Sequence, residues 1–142
     1  DIYRARAAAV NMIPTSTGAA QAVGQVLPEL EGKLKGVAVR VPTSNVSMID
    51  LTFTSMKQTT AEEVNDVVRK ACNNDKLRNV LSYTDEKLVS TDFYHNPHSS
   101  IFHTDQTFVT GKKLVRILSW YDNEWGFSNR MADTASEISK HL

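Results

Sequence analysis

A chain of 142 residues, 41% apolar and 23% charged, is sized for one domain with a real core and is neither a disordered tract nor two ordinary domains. Lys plus Arg and Asp plus Glu both number 16, so the formal charge is zero, which argues against the cation surplus of a nucleic-acid or polyanion binder. No apolar run nears the roughly 20 residues of a membrane span, the first residues lack the apolar core of a signal peptide, and the lone Cys72, unable to form an internal disulfide, points to a reducing cytoplasm.

In chain order, the first amphipathic helix is expected from near Thr17 to near Leu27. Thr17 suits an N-cap, Ala19, Val23 and Val26 share a helical face, and Pro28 stops the helix. Gly32 and Gly36 mark turns. From Val37 the period becomes two, with Val37, Val39 and Val41 on one side and Ala38, Arg40 and Pro42 on the other. A second strand starts at Ser47 and alternates Ile49, Leu51 and Phe53 with Met48, Asp50, Thr52 and Thr54. The short connection between the two predicts an antiparallel pair.

The next helix carries a capping box, Thr60 with Glu63. Its apolar stripe is Val64, Val67, Val68 and Ala71, Arg69 and Lys70 suit its negative end, and Asn73-Asn74 terminate it. Short strand-like runs follow at Val80–Tyr83, Leu88–Phe93 and Ser99–Phe102, then a longer one at Leu114–Tyr121. A last helix, capped by Asp122 or Asn123, aligns Phe127, Met131, Thr134, Ala135 and Ile138 on one face. Helices at both ends and in the middle of a mainly antiparallel sheet make an α+β fold. The βαβαβ alternation of a Rossmann fold is absent. No repeat or linker interrupts the chain, so residues 1–142 read as a single domain.

Three stretches carry chemistry. Ser16-Thr17-Gly18 at a helix start offers free backbone N–H groups, the positive end of the dipole, hydroxyl donors and a glycine that permits close approach of an anion. The same pattern also fits an ordinary capped helix. Arg40 interrupts an apolar run and can clamp a phosphate or carboxylate bidentately, or lie on a solvated sheet face paired with Asp50. Arg4 and Arg6 can add charge to the same anion or belong to a solvated terminal segment. Asn123, in the Asp122–Gly126 turn, bears a carboxamide able to read another amide, with Tyr121 or Phe127 packing on a ring. From pattern alone, that turn reads first as a capped helix flanked by core aromatics.

Two further signals are weak. His95, His98 and His103 have a metal-like spacing, but a turn at Asn96-Pro97 separates them and no carboxylate or thiolate completes a set, so no metal is expected. Cys72 lies near the end of a helix, away from its positive end and without a motif partner, and reads as structural.

Taken together, Arg4-Ala5-Arg6, Ile13-Pro14-Thr15-Ser16-Thr17-Gly18-Ala19-Ala20, Arg40-Val41-Pro42-Thr43, Asn45-Val46-Ser47 and Ser119-Trp120-Tyr121-Asp122-Asn123-Glu124 closely resemble the C-terminal, catalytic part of glyceraldehyde-3-phosphate dehydrogenase. The resemblance runs from Arg4 to about Lys140, and erythrose-4-phosphate dehydrogenase shares much of it. It implies an incomplete catalytic domain, a mainly antiparallel mixed sheet with helices packed on one face, and no Rossmann half. Residues 1–13 would be the tail of the active-site loop, so that the start looks like an excision point.

By the resemblance, Thr17 and Gly18 bind the inorganic phosphate that attacks the acyl-enzyme, Arg4 lies near it, and Arg40 helps hold the substrate's phosphate. Asn123 fixes the nicotinamide carboxamide of NAD, and Phe127 stands where a tyrosine is often found. The family's nucleophile, in a Ser-Cys-Thr-Thr-Asn block, its basic histidine, in Thr-Val-His-Ala, and the Gly-x-Gly-x-x-Gly turn are absent from this sequence. The resemblance therefore implies a partner in the missing N-terminal half, no turnover by this chain alone, no tight cofactor binding, and a homo-oligomer. A phosphate-binding or oligomerisation module without catalysis is the other reading.

Overall fold

Two eight-residue runs rich in β-branched and aromatic side chains, Ser47–Thr54 (β3) and Leu114–Tyr121 (β7), pair antiparallel along their whole length, from Ser47 opposite Tyr121 to Thr54 opposite Leu114. They belong to a computed structural model that describes residues 2–142 and resolves into two units, residues 1–44 and 45–142. Asp1, the first residue of the stretch read as a loop tail, lies outside the described residues.

The larger unit is built on β7. One edge of β7 takes β3. The other takes β5 (Ser100–His103) near Trp120 and β6 (Phe108–Thr110) near Leu114. β4 (Leu81–Thr84) extends the sheet by pairing parallel with β5, so the sheet is mixed but mainly antiparallel. Between β6 and β7 the chain reverses through Gly111 and Lys112, both at positive φ (58° and 63°), where glycine removes the Cβ clash. Helices α2 (Ala61–Cys72) and α3 (Trp125–Ser139) complete this unit. Its core is Val46, Phe93 and Ile101 with Leu88 and Trp120 packed against them, and the Phe93 and Trp120 rings stack 5.3 Å apart.

The smaller unit has a two-stranded antiparallel pair, β1 (Ile13–Thr15) with β2 (Ala38–Arg40), and one helix, α1 (Ala19–Val26). The fold is α+β, as the sequence predicts.

Several local expectations change. The strand through Arg40 pairs with β1 rather than β3, and Asp50 is held instead by Arg116 through two bonds of 2.9 and 2.8 Å. A short connection favours a hairpin only when no better edge is available, and β7 offers β3 eight residues of pairing. Leu88–Phe93 is not a strand: Ser90–Phe93 forms a 3-10 turn, because the Asp92 carboxylate accepts from Val89 N–H at 2.7 Å and diverts the backbone. Residues 108–110, too short to stand out by period, are a strand.

In α2 the capping box forms as expected, but Val67 is exposed and Asn65 is buried, its Nδ2 donating to the Thr104 carbonyl at 3.1 Å. The apolar face of α3 stays on the surface: Phe127, Met131 and Ile138 are 64%, 58% and 56% exposed. The helix is amphipathic as expected, but among the described residues nothing covers that face.

Candidate functional site

In the smaller unit, Thr17 and Gly18 lie at the start of α1, and Arg4 is tied to the strand that leads into it. Gly18 precedes the helix with φ −87° and ψ −1°, and space is open where its Cβ would stand. Gly18 rather than Thr17 is the capping residue. The Thr17 hydroxyl accepts from Ala19 N–H at 3.2 Å and keeps its own O–H to donate. Gly36 packs closely beneath this turn, since a Cβ there would lie 3.4 Å from Ala20 Cβ and 3.9 Å from Thr17 Cγ2.

Strand β1 leads into the turn, and its Thr15, buried, receives the Arg4 guanidinium at 2.9 Å (Nη2) and 3.3 Å (Nε). Arg4 is thereby anchored two residues ahead of Thr17. Arg40 sits at the end of β2, opposite Ile13 in the β1 register, with its side chain exposed. Arg6 turns back instead, donating to the Ile2 carbonyl at 2.7 Å. Cationic side chains, a hydroxyl and an open helix N-terminus within one unit can hold an oxyanion.

In the larger unit, the end of β7 runs into α3 through the turn that bears Asn123. Asp122 is 2% exposed, and its carboxylate collects four donors: Asn45 Nδ2 at 2.9 Å, His95 N–H at 2.9 Å, Trp125 N–H at 2.9 Å and Glu124 N–H at 3.2 Å. Burial pushes the Asp122 carboxyl up, but the bonds from Trp125, His95, Asn45 and Glu124 together outweigh it and hold it below its ordinary value. By taking Glu124 and Trp125 N–H, Asp122 does the work of a helix cap, although the helix formally begins after Glu124. A Cβ on Gly126 would lie 3.2 Å from the His98 carbonyl oxygen, so glycine lets the start of α3 press against that loop.

Next to this buried anchor Asn123 is exposed, and its Oδ1 accepts from the Ser47 hydroxyl at 2.9 Å. Phe127 lies on the first turn of α3 and presents its ring to solvent. The site residues predicted from the sequence thus fall into two sets, Arg4, Thr17, Gly18 and Arg40 in one unit and Asn123 with Phe127 in the other. Thr15 and Ser47 support them and escaped the sequence reading, which marked Asp122 as a helix cap only. Ser47 and Asn123 are 76 positions apart, and Asn45 and Asp122 are 77 apart, so no local pattern links them.

The histidines serve structure. Trp120 Nε1–H donates to His103 Nδ1 at 3.0 Å, so that ring carries its proton on Nε2, which donates to the Glu86 carbonyl at 2.9 Å. His95 packs on Trp125 with ring centroids 4.4 Å apart, and His98 binds Asn96. Among the described residues no group of three His, Cys, Asp or Glu gathers as a metal site, and no helix is long and apolar enough to cross a membrane.

Comparison with known proteins supplies the wider context. The family described as glyceraldehyde 3-phosphate dehydrogenase, C-terminal domain, matches residues 1–123. The chain is 62% identical over 142 residues to a glyceraldehyde-3-phosphate dehydrogenase of Cereibacter sphaeroides, covering 100% of this chain and 42% of that protein. It is 61% identical over 140 residues to the enzyme of Xanthobacter flavus, covering 99% and 42%. It is 56% identical over 142 residues to that of Zymomonas mobilis, covering 100% and 42%. The chain therefore spans about two-fifths of the length of these relatives.

Proposed function

This chain belongs to the glyceraldehyde 3-phosphate dehydrogenase C-terminal domain family, and from that premise we propose that it is the phosphate-binding and nicotinamide-contacting part of an NAD-dependent dehydrogenase of a triose phosphate. In this reading residues 1–142 are part of one catalytic domain, and residues 1–13 are the tail of its active-site loop. Thr17 and Gly18 bind inorganic phosphate, with Arg4 nearby, and Arg40 holds the phosphate of the substrate. Asn123 bonds the nicotinamide carboxamide and Phe127 packs beside the ring. The dinucleotide supplies the hydride acceptor. The nucleophilic cysteine, its base and the dinucleotide fold come from outside this sequence, so the isolated chain does not turn over. The complete enzyme works as a homo-oligomer in the cytoplasm.

The observation that carries the phosphate assignment is the open space over Gly18 at the start of α1, with the Thr17 hydroxyl beside it and Arg4 anchored on Thr15. The residues fit a carboxamide ligand as well: Asn123 is exposed, and its amide is tied at one end only. The names of the relatives favour a triose over a tetrose phosphate.

Steady-state kinetics on the complete dehydrogenase carrying this chain test the reading. Thr17→Ala should raise KM for inorganic phosphate, and Arg40→Ala KM for glyceraldehyde 3-phosphate, each by roughly tenfold or more, as loss of a charge-assisted bond requires. Unchanged KM values in both variants would overturn the phosphate assignments, and NADH formation by the isolated chain would overturn its dependence on another half.

A further inference from the structure

The imidazole of His103 lies between two partners that favour different protonation states. Its side chain is 4% exposed, at the end of β5 where the chain turns into Thr104–Gln106. On one side, Trp120 Nε1–H donates to His103 Nδ1 at 3.0 Å. An indole nitrogen only donates, so this bond exists only while Nδ1 keeps a lone pair and the ring is neutral. On the other side, Nε2–H donates to the Glu86 carbonyl at 2.9 Å, and Asp105 Oδ1 lies 3.0 Å from the same nitrogen. A carboxylate at that distance favours the imidazolium.

The other charged groups on the surrounding segments are engaged elsewhere or exposed. Asp85 is held by Arg69 of α2 at 2.9 Å and by the Thr104 hydroxyl at 2.6 Å. Arg116 of β7 is paired with Asp50 and donates to the Gln106 carbonyl at 2.9 Å. Glu86 and Lys87 are exposed. Asp105 also accepts from Gln106 Nε2 at 3.1 Å, and it is the carboxylate that meets the imidazole.

Protonation puts an N–H on Nδ1 opposite the indole N–H, and two donors make no hydrogen bond. The Trp120 bond is then lost, while the pairing with Asp105 becomes charge-assisted. Trp120 matters to its surroundings: its ring stacks on Phe93 at 5.3 Å and packs against the core of Val46, Phe93 and Ile101. We infer that His103 is an acid-sensitive switch beside this core: as the neutral imidazole it holds the Trp120 indole, and as the imidazolium it releases Trp120 and pairs with Asp105.

The test follows the Trp120 indole N–H by heteronuclear NMR in the complete dehydrogenase carrying this chain, with isotope-labelled tryptophan. Histidine as a residue type changes charge between about pH 8 and about pH 5, and the titration spans that window. Loss of the signal in Trp120→Phe identifies it. In the parent the indole proton should move upfield, reversibly, as pH falls, which is the mark of a lost hydrogen bond. Asp105→Asn keeps the shape and removes the charge, so the midpoint should fall by about one pH unit. In His103→Phe, which has no acceptor, the signal should stand upfield at every pH. Thermal melting checks that the variants fold, and should His103→Phe not fold, the parent and Asp105→Asn decide.

A parent signal that holds its position across the window overturns the switch. A transition whose midpoint is unmoved in Asp105→Asn overturns the pairing with Asp105. One that survives in His103→Phe belongs to another titrating group and overturns the inference.

Discussion

Asp122 is the residue on which the turn at the end of β7 depends. A carboxylate 2% exposed keeps its charge only if donors replace water, and four do so within 3.2 Å. Asp122→Ala should therefore lower the unfolding free energy by about 3 kcal/mol, since it strands buried donors as well as removing their bonds. Urea titration measures this, and a loss under about 1 kcal/mol would contradict the anchor role. The same bonds fix a pH dependence. A carboxyl held below its ordinary 3.8 stabilises the fold fully above that value, and the contribution is lost as pH falls through the folded-state value beneath it. Asp122→Asn should consequently lose less stability than the parent between about pH 6 and about pH 2.5. Equal acid losses would show that Asp122 does not titrate in this way. The sequence marked Asp122 as a helix cap, and two of its bonds are of that local kind. The other two, from Asn45 and His95, come from chain segments that only folding brings close.

Among the elements, α2, β3 and β7 lie where the pattern places them, because each is specified by its own residues. For α2 the specification is reciprocal capping: Glu63 N–H donates to Thr60 Oγ1 at 3.2 Å, and Thr60 N–H donates to Glu63 Oε2 at 3.0 Å. Thr60→Ala should cost about 1 kcal/mol in a urea melt, with Thr60→Ser close to the parent. A Thr60→Ala variant as stable as the parent would mean that α2 is held by packing alone. Elements specified by partners rather than by period were less legible. The run 88–93 has strand-like composition, yet the Asp92–Val89 bond bends it. β2 alternates clearly, but alternation cannot say which edge it joins, and the partner is β1, more than twenty residues earlier. For the site, this difference matters: the β1–β2 pairing is what sets Arg40 opposite Ile13, at the other end of the pair from Thr15.

At the scale of the molecule, the two units differ in what holds each together. The larger has a five-stranded sheet with a stacked aromatic core, whereas the smaller relies on a pair of three-residue strands, one eight-residue helix and few buried side chains. Short two-stranded pairs are marginal by themselves. Hydrogen exchange on the isolated chain should therefore find the amides of β3 and β7 most protected and those of β1, β2 and α1 exchanging orders of magnitude faster. Equal protection in the two units would refute this ranking. Local periodicity, capping and composition carry the α+β class, the long strands, the capped helix and the residue types of an anion site. Folding is what joins β2 to β1, rests Arg4 on Thr15, and brings Ser47 and Asp122 to the Asn123 turn. Those contacts join residues far apart in the chain, and their partners are chosen by edge length, burial and unmet hydrogen bonds, none of which a local pattern encodes.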